Sequence, residues 1–362
     1  MATTFALFKR QDWLLNSAIF ALIGMSLLML RSIDGALFLQ QLGWALIAVL
    51  VIFIFAHIDW RALAAYKWII VGIYFVAIAL LVITYFFAPT IRNTRAWLVL
   101  GPVQFQVSEF VKVALIIFFS YFFSKRHLGI ARLANIVRPF LYFLIPAVLI
   151  LAQPDMGTVI VLFCIWVGFL LVSGLPWKHI VIGFMIVMLA VGASWFTILK
   201  PYQKQRIVGL LDPTYDPLGV NYSTIQSKIA VGSGGIVGKG FGQGTQVQLG
   251  FLPAASTDYI FSAFTEEWGL LGALLIIFVF GLAIFAIMRI GLQADSNFYR
   301  FICLGAAIMF LVQFGINVGS ALGLLPVIGI TFPFLSYGGS SLLINAMMIG
   351  IVQSAAIYRP LS

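Results

Sequence analysis

The sequence predicts an all-α polytopic membrane protein of about ten transmembrane helices, and three observations carry that expectation. Of 362 residues, 62% are hydrophobic and only 9% are charged, and the mean hydropathy is +1.10, outside the range of soluble globular chains. Apolar runs of about 18–22 residues recur, each long enough to cross roughly 30 Å of hydrocarbon as a helix. Lys and Arg gather in particular connectors, the bias that sets orientation in a bilayer. Residues 1–362 read as a single integral membrane domain. The net charge of +10 follows from this topology and calls for no nucleic acid.

Taken in order, the spans fall at 13–30, 36–56, 66–87, 108–124, 140–153, 158–173, 179–199, 270–288, 298–319 and 338–357. The first follows Lys9 and Arg10 and lacks a small-x-small cleavage site, so it reads as an uncleaved span. Lys125, Arg126, Arg132 and Arg138 place the connector after the fourth span in the cytoplasm. With ten spans, both termini and the segments around Arg61, Lys178, Arg289, Arg300 and Arg359 lie there too. Segments 88–107, 200–268 and 320–337 then face outward. The fifth and sixth spans are short and joined by "QPDMG", where Asp155 either caps a helix or shapes a cavity. The eighth begins late, because Glu266 and Glu267 argue against lipid around "YIFSAF"; "STDYIFSAFTEE" reads as a short interfacial helix. Cys164 and Cys303 both fall inside spans, which disfavours a disulfide.

The segment between spans seven and eight, 200–268, is far longer than a connector requires, and such loops are functional or disordered. Its prolines, its glycines and its remaining apolar content predict a folded cap of short helices and turns over the outer face. The stretch "GSGGIVGKGFGQG" (232–244) invites a phosphate-loop reading that fails. That pattern needs glycine and Ser or Thr where Ser233 and Gly240 stand. The glycines read instead as tight turns and close backbone approach.

Acid–base work at the outer face must use Asp, Glu, Lys or Tyr, since His57, His127 and His179 all fall at cytoplasmic span ends. Ser108 reads as an N-cap of the fourth span, with Glu109 in its first turn and Lys112 on the same face. A charge inside a span is costly and commonly marks a substrate path. Arg92, Arg95, Lys204 and Arg206 put positive charge on the outer face, and arginine suits a bidentate grip on phosphate oxygens. Gln313 and Asn317, one turn apart in the ninth span, suit bonds between helices. Small residues in "LLPVIGITFPFLSYGGSS" permit close packing or a lipid-access groove. Asp258, between Thr257 and Tyr259 at the threshold of the eighth span, is the acid that most needs an explanation.

Five motifs in order carry a resemblance: "FQVSEFVK", "AQPDMGT", "YQKQRIVGLLDPTYDPLGVNYSTIQSKIAVGSGGIVGKG", "FLPAASTDYIFSAFTEEWG" and "LGLLPVIGITFPFLSYGGSS". With them the chain resembles, over essentially its whole length, the bacterial SEDS family (shape, elongation, division and sporulation). Its short tails resemble the elongation branch more than the division branch. The resemblance implies a peptidoglycan glycosyltransferase of cell-wall elongation, multi-pass in the bacterial cytoplasmic (inner) membrane. Such enzymes polymerise lipid II at the outer face beside a class B penicillin-binding protein, a transpeptidase that crosslinks the glycan. The family's essential aspartate maps to Asp258, and its membrane-embedded Glu and Lys map to Glu109 and Lys112. Two positions depart from the family pattern. Val107 stands where proline is usual, and "PAAS" replaces a stretch that often carries Glu or a basic residue and His.

On that resemblance Asp258 is expected to act as general base. It would take the proton of an acceptor 4-hydroxyl that attacks the donor anomeric carbon, with inversion to a β-linked glycan. Undecaprenyl pyrophosphate is the leaving group. Arg206, Arg95 and Lys112 are expected to stabilise it, with Glu109 orienting Lys112. No cofactor is assigned; a divalent cation (Mg or Mn) could share the pyrophosphate charge, and metal dependence stays open because the sequence shows no carboxylate cluster dedicated to one. A flippase for lipid-linked precursors is the alternative that ten spans and an outer cap also suit, and a silent scaffold for the transpeptidase is another.

Overall fold

A computed structural model describes residues 10–89, 95–101, 103–126, 133–197, 201–212 and 214–359. It is mainly helical. The first half contains α1 (Trp13–Ile33), α2 (Gly35–Ala56), the short α3 (Trp60–Ala65), α4 (Lys67–Phe87), α5 (Val107–Arg126), α6 (Leu133–Ala152), α7 (Met156–Val172) and α8 (Trp177–Thr197). Next come the short α9 (Pro201–Leu211), α10 (Tyr222–Ser233) and α11 (Thr245–Gln248), then α12 (Ile260–Gln293), α13 (Asn297–Ala321) and α14 (Gly339–Ile357). Eight helices are long and apolar enough to cross a membrane, and α7 and the first half of α8 add shorter apolar segments. The ten expected spans thus each have a helix.

Acids at helix starts explain several boundaries. Asp12 accepts from the Leu15 N–H at 3.0 Å, Asp34 from Ala36 at 2.7 Å, Asp59 from Arg61 at 3.0 Å and Asp155 from Thr158 at 3.1 Å. Each satisfies an orphan donor and complements the positive end of the helix dipole. Ser296 does the same for α13, accepting from Tyr299 at 3.3 Å.

The bundle is built around α5, α13 and α14. α13 packs on α12, α5 and α7, while α14 packs on α2 and α1 on α12. Of the spanning stretch, 83% is enclosed for α5 and 78% for α14, against 22% for α2 and 28% for α4. The outer helices turn large apolar side chains outward, including Leu46, Leu50, Ile54, Phe75 and Phe86. In water that surface would be unstable; against lipid tails it is the expected one.

Several expectations need correction. Ser108 lies inside α5, and its hydroxyl donates to Asp155 Oδ2 at 2.8 Å rather than capping the helix. The fifth span begins at Leu133, not 140. Part of segment 88–107 forms an antiparallel hairpin of β1 (Trp97–Leu100) and β2 (Val103–Gln106), with Trp97 opposite Gln106 and Leu100 opposite Val103. Val107 extends it: its N–H donates to the Ala96 carbonyl at 3.3 Å, a bond the family's usual proline lacks the donor to make.

The eighth span is broken where Gly269 adopts φ 68° and ψ −166°. A helical segment from Ile260 precedes the break, as the early acidic stretch suggests, but Glu266 and Glu267 are buried rather than interfacial. They serve the glycine stretch. Lys239 N–H donates to the Glu266 carbonyl and Gly240 N–H to that of Glu267, each at 3.0 Å. The Glu266 carboxylate accepts from Lys239 Nζ at 2.6 Å and the Gln246 N–H at 3.0 Å. At Gly238, φ +87°, an added Cβ would lie 2.1 Å from the Glu267 carbonyl oxygen. Close backbone approach is therefore what those glycines provide.

Candidate active site

The turn 253–259, the α9 residues Arg206 and Leu210, the start of α10 and the segment 325–327 enclose a cavity of about 170 Å³. Asp258 and Arg206 both line it, with Asn221, Thr224 and Tyr259. Two N–H groups, of Thr257 and Tyr259, donate to the Ala254 carbonyl at 3.0 and 3.2 Å and curl the chain around Asp258. Ala254, from the divergent "PAAS" stretch, sits at φ +51°. That left-handed geometry costs an alanine about 1–2 kcal/mol, so the surrounding bonds must hold it.

Those bonds come from three directions. Asn317 Nδ2 donates to the Asp258 carbonyl at 3.1 Å and to the Ile330 carbonyl at 2.9 Å. Ser336 Oγ donates to the Thr257 carbonyl at 2.7 Å. The Tyr337 N–H donates to the Ser256 carbonyl at 2.8 Å. Asn317 thus ties two loops together rather than two helices. Gln313, one turn earlier, is buried, and its amide has no hydrogen-bond partner among the described residues, so the interhelical bond expected of it is not formed there.

Arg206 is exposed at the cavity wall, where its Nη1 donates to the Val327 carbonyl at 2.6 Å. That bond fixes one side of the guanidinium fork and leaves further N–H groups for a ligand. Tyr259 feels the charges of both Asp258 and Arg206. Burial is the main cause that pushes its phenol above the usual range; the Asp258 charge adds to the rise, while the Thr224 hydroxyl at 3.5 Å and the Arg206 charge oppose it. The phenol therefore keeps its proton near neutral pH and can donate.

Of the other expected site residues, Glu109 and Lys112 form a buried ion pair, Nζ to Oε1, at 2.7 Å. Lys112 is fully enclosed, and Glu109 Oε2 is buried without a hydrogen-bond partner among the described residues. Neither lines the cavity, nor does Arg95, which is exposed just before β1. A chain of bonds nevertheless joins the start of α5 to Asp258. Ser108 and Gln106 Nε2 both donate to Asp155 Oδ2, at 2.8 and 3.3 Å. The Gln106 N–H donates to Ser340 Oγ at 2.9 Å, Ser341 meets Thr331 at 3.0 Å, and the neighbouring Ile330 carbonyl accepts from Asn317. The pair therefore lies at the same end of the bundle as the cavity.

His57 bonds the Phe53 carbonyl at the end of α2, and His179 lies in the first turn of α8. Neither lines the cavity; His127 and Arg92 fall outside the described residues. Among the described residues no three His, Cys, Asp or Glu side chains come together as a metal site. Cys164 and Cys303 are both free. Sequence reasoning missed Asn221, whose Nδ2 donates to the Gly209 and Tyr215 carbonyls at 2.9 Å and folds α9 onto α10. Its one signal was the turn-rich "DPTYDPLGVN" before it.

Comparison with known proteins shows the family and the fold. The family model described as cell cycle protein, grouping FtsW, RodA and SpoVE, matches residues 11–360. Peptidoglycan glycosyltransferase MrdB of Escherichia coli (strain K12) is 38% identical over 287 residues, 79% of this chain and 77% of that one. Stage V sporulation protein E of Bacillus subtilis (strain 168) is 35% identical over 321 residues, 88% and 86% of the two chains. One solved chain, from a peptidoglycan synthase complex that coordinates polymerization and crosslinking, superposes with a TM-score of 0.83 at 32% identity. It covers 96% of this chain and 98% of its own. The rod shape determining protein RodA of Thermus thermophilus superposes with a TM-score of 0.72 at 27% identity, covering 97% and 98%.

Proposed function

The chain belongs to the cell cycle protein family of FtsW, RodA and SpoVE, and from that premise we propose that it is a peptidoglycan glycosyltransferase polymerising lipid II into β-linked glycan during cell-wall elongation. The observation that carries the reading is that Asp258 and Arg206 line one cavity near the start of α12. A lipid-anchored donor presents its reactive sugar at that level. The region 200–268 caps the site on the outer face of the cytoplasmic membrane, with both termini inside.

In the proposed step, the acceptor 4-hydroxyl oxygen forms a bond to the donor anomeric carbon. The bond from that carbon to pyrophosphate breaks, and the electron pair leaves with undecaprenyl pyrophosphate. Asp258 takes the hydroxyl proton, which is worth about 10²–10⁴ in rate for a positioned base. Arg206 meets the charge growing on the pyrophosphate with N–H groups already aimed. No carboxylic acid is needed for departure, because the leaving group is already an anion stabilised by cations. Glu109 and Lys112 fix the start of α5, and with it the hairpin that carries Arg95, around the donor. A divalent cation on the pyrophosphate would take Asp258 as one ligand and draw the others from substrate and water. A class B penicillin-binding protein is the proposed partner, since a related chain works within a complex that couples polymerization to crosslinking.

The test is incubation of purified protein, with its cognate transpeptidase, with lipid II in mixed micelles, reading polymer and released polyprenyl pyrophosphate. Glycan strands with stoichiometric pyrophosphate release support the proposal. Movement of lipid II across vesicles without polymer would replace it with the flippase reading.

A further inference from the structure

At the opposite end of the bundle lies a second cavity, of about 150 Å³, lined by Arg10, Gln11, Asp12, Gln293 and Arg359 together with Ile290 and two alanines. It is well separated from the first. α12 starts beside Asp258 and ends at Gln293, and its part beyond the Gly269 break, residues 270–293, alone spans roughly 36 Å at 1.5 Å per residue. The catalytic proposal uses none of its residues.

The wall is rigid and positively charged. Gln353 receives the Asp12 N–H on Oε1 at 2.9 Å and donates through Nε2 to the Asp12 carbonyl at 2.9 Å and to Asn16 Oδ1 at 2.7 Å. Asp12, the one acid among the described residues lining the cavity, is neutralised by an ion pair with Arg289. Arg10 donates to the Arg359 carbonyl, and Arg359 donates to Gln293 Oε1 at 2.7 Å. Among the described residues, neither Arg10 nor Arg359, both lining the cavity, has a carboxylate within salt-bridge distance.

Gln11 lines the same cavity. It is only 4% exposed, its Oε1 accepts from Asn16 at 2.8 Å, and its Nε2 has no partner among the described residues. An anion in the cavity would compensate the guanidinium charges, and a turn of the Gln11 amide toward it would give that buried donor the acceptor whose lack is costly. Guanidinium forks match phosphate oxygens, and Trp13, which follows Asp12 in the chain and is 44% exposed, is the kind of residue that sits at headgroup level.

We propose that Arg10, Gln11 and Arg359 form a binding site for a phosphate group at the end of the bundle opposite the catalytic cavity. The phosphate belongs to either an anionic lipid headgroup or a soluble anion. Occupancy would join the start of α1 to the ends of α12 and α14.

The full chain, purified in non-ionic detergent, is titrated with dioctanoyl phosphatidylglycerol, with inorganic phosphate, and with dioctanoylglycerol, which lacks phosphate. Thermal unfolding is the readout. The expected result is a saturable rise in the midpoint with at least one phosphate probe and none with dioctanoylglycerol. Saturation by inorganic phosphate identifies a soluble ligand; saturation by the lipid alone identifies a headgroup. Apparent affinity should fall at least about tenfold in R10Q/R359Q, which loses charge-assisted bonds. Gln11→Glu is close to isosteric and keeps the acceptor for Asn16, and the unfolding midpoint of each variant without probe shows whether it folds as wild type does. It should weaken binding about tenfold or more by placing an anion where the ligand sits. No shift with either phosphate probe, an equal shift with dioctanoylglycerol, or unchanged affinity in Gln11→Glu would overturn the site.

Discussion

Eleven carboxylates in 362 residues are few enough to follow one by one. Asp12, Asp34, Asp59 and Asp155 cap helices. Asp212 and Asp216 accept bonds within the turn that follows α9, and the Thr214 hydroxyl and N–H, the leading causes, hold the Asp212 carboxyl below its usual range. Glu266 and Glu267 hold the glycine stretch, and Glu109 holds Lys112. Asp295 is exposed before α13. Asp258 is the one placed in the cavity that also carries Arg206. For the buried pair the expectation is specific. Glu109→Gln leaves a fully enclosed ammonium without its counter-charge and should destabilise by about 3–5 kcal/mol, read as loss of monodisperse protein in detergent. Adding Lys112→Met should restore folding. If the double variant then polymerises as well as wild type, the pair has no part in the reaction.

At the scale of elements, glycine placement decides where α12 breaks. Gly238→Ala puts a Cβ against the Glu267 carbonyl at a left-handed φ and should cost at least about 2–3 kcal/mol, lowering the thermal midpoint. Gly232→Ala, inside α10 with nothing within 4 Å of the added Cβ, should be neutral or raise stability by about 0.5–1 kcal/mol. Equal midpoints for the two variants would contradict the packing of the glycine stretch on α12. The helices were legible because lipid demands long apolar runs, and the α12 break because two adjacent acids interrupt one. The hairpin was not: "WLVLGPVQFQ" offers four residues per strand, and its pairing depends on the Ala96 and Ser340 contacts that only the folded chain supplies. Nor could spacing show that Glu109 and Lys112 are sealed away from the cavity, since that depends on α13 and α14 closing over α5.

For the whole molecule, the proposed ten-span topology puts Asp258 and the Arg10–Arg359 cavity on opposite membrane faces. With Cys164 and Cys303 replaced, a cysteine at exposed Leu218 should react with an impermeant maleimide on intact cells, and one at exposed Asp295 only after permeabilisation. The reverse pattern would invert the orientation and put the proposed chemistry on the wrong face. The charge bias of the connectors gives the orientation as an expectation that this labelling tests; Asp258 and Arg206 were both expected at the outer-face site, whereas the α9, α10 and 325–327 walls that bring them to one cavity were not legible, because they depend on those segments folding together.

The most direct test compares wild type with Asp258→Asn in lipid II polymerisation, at matched folding and with the same transpeptidase present. The carboxamide keeps the shape of the side chain and the backbone bond to Asn317 while removing the base. A fall in polymerisation rate of at least about 10², with unfolding midpoint and lipid II binding retained, is the predicted result. Equal polymer from both proteins would contradict the assignment of Asp258 as the catalytic base.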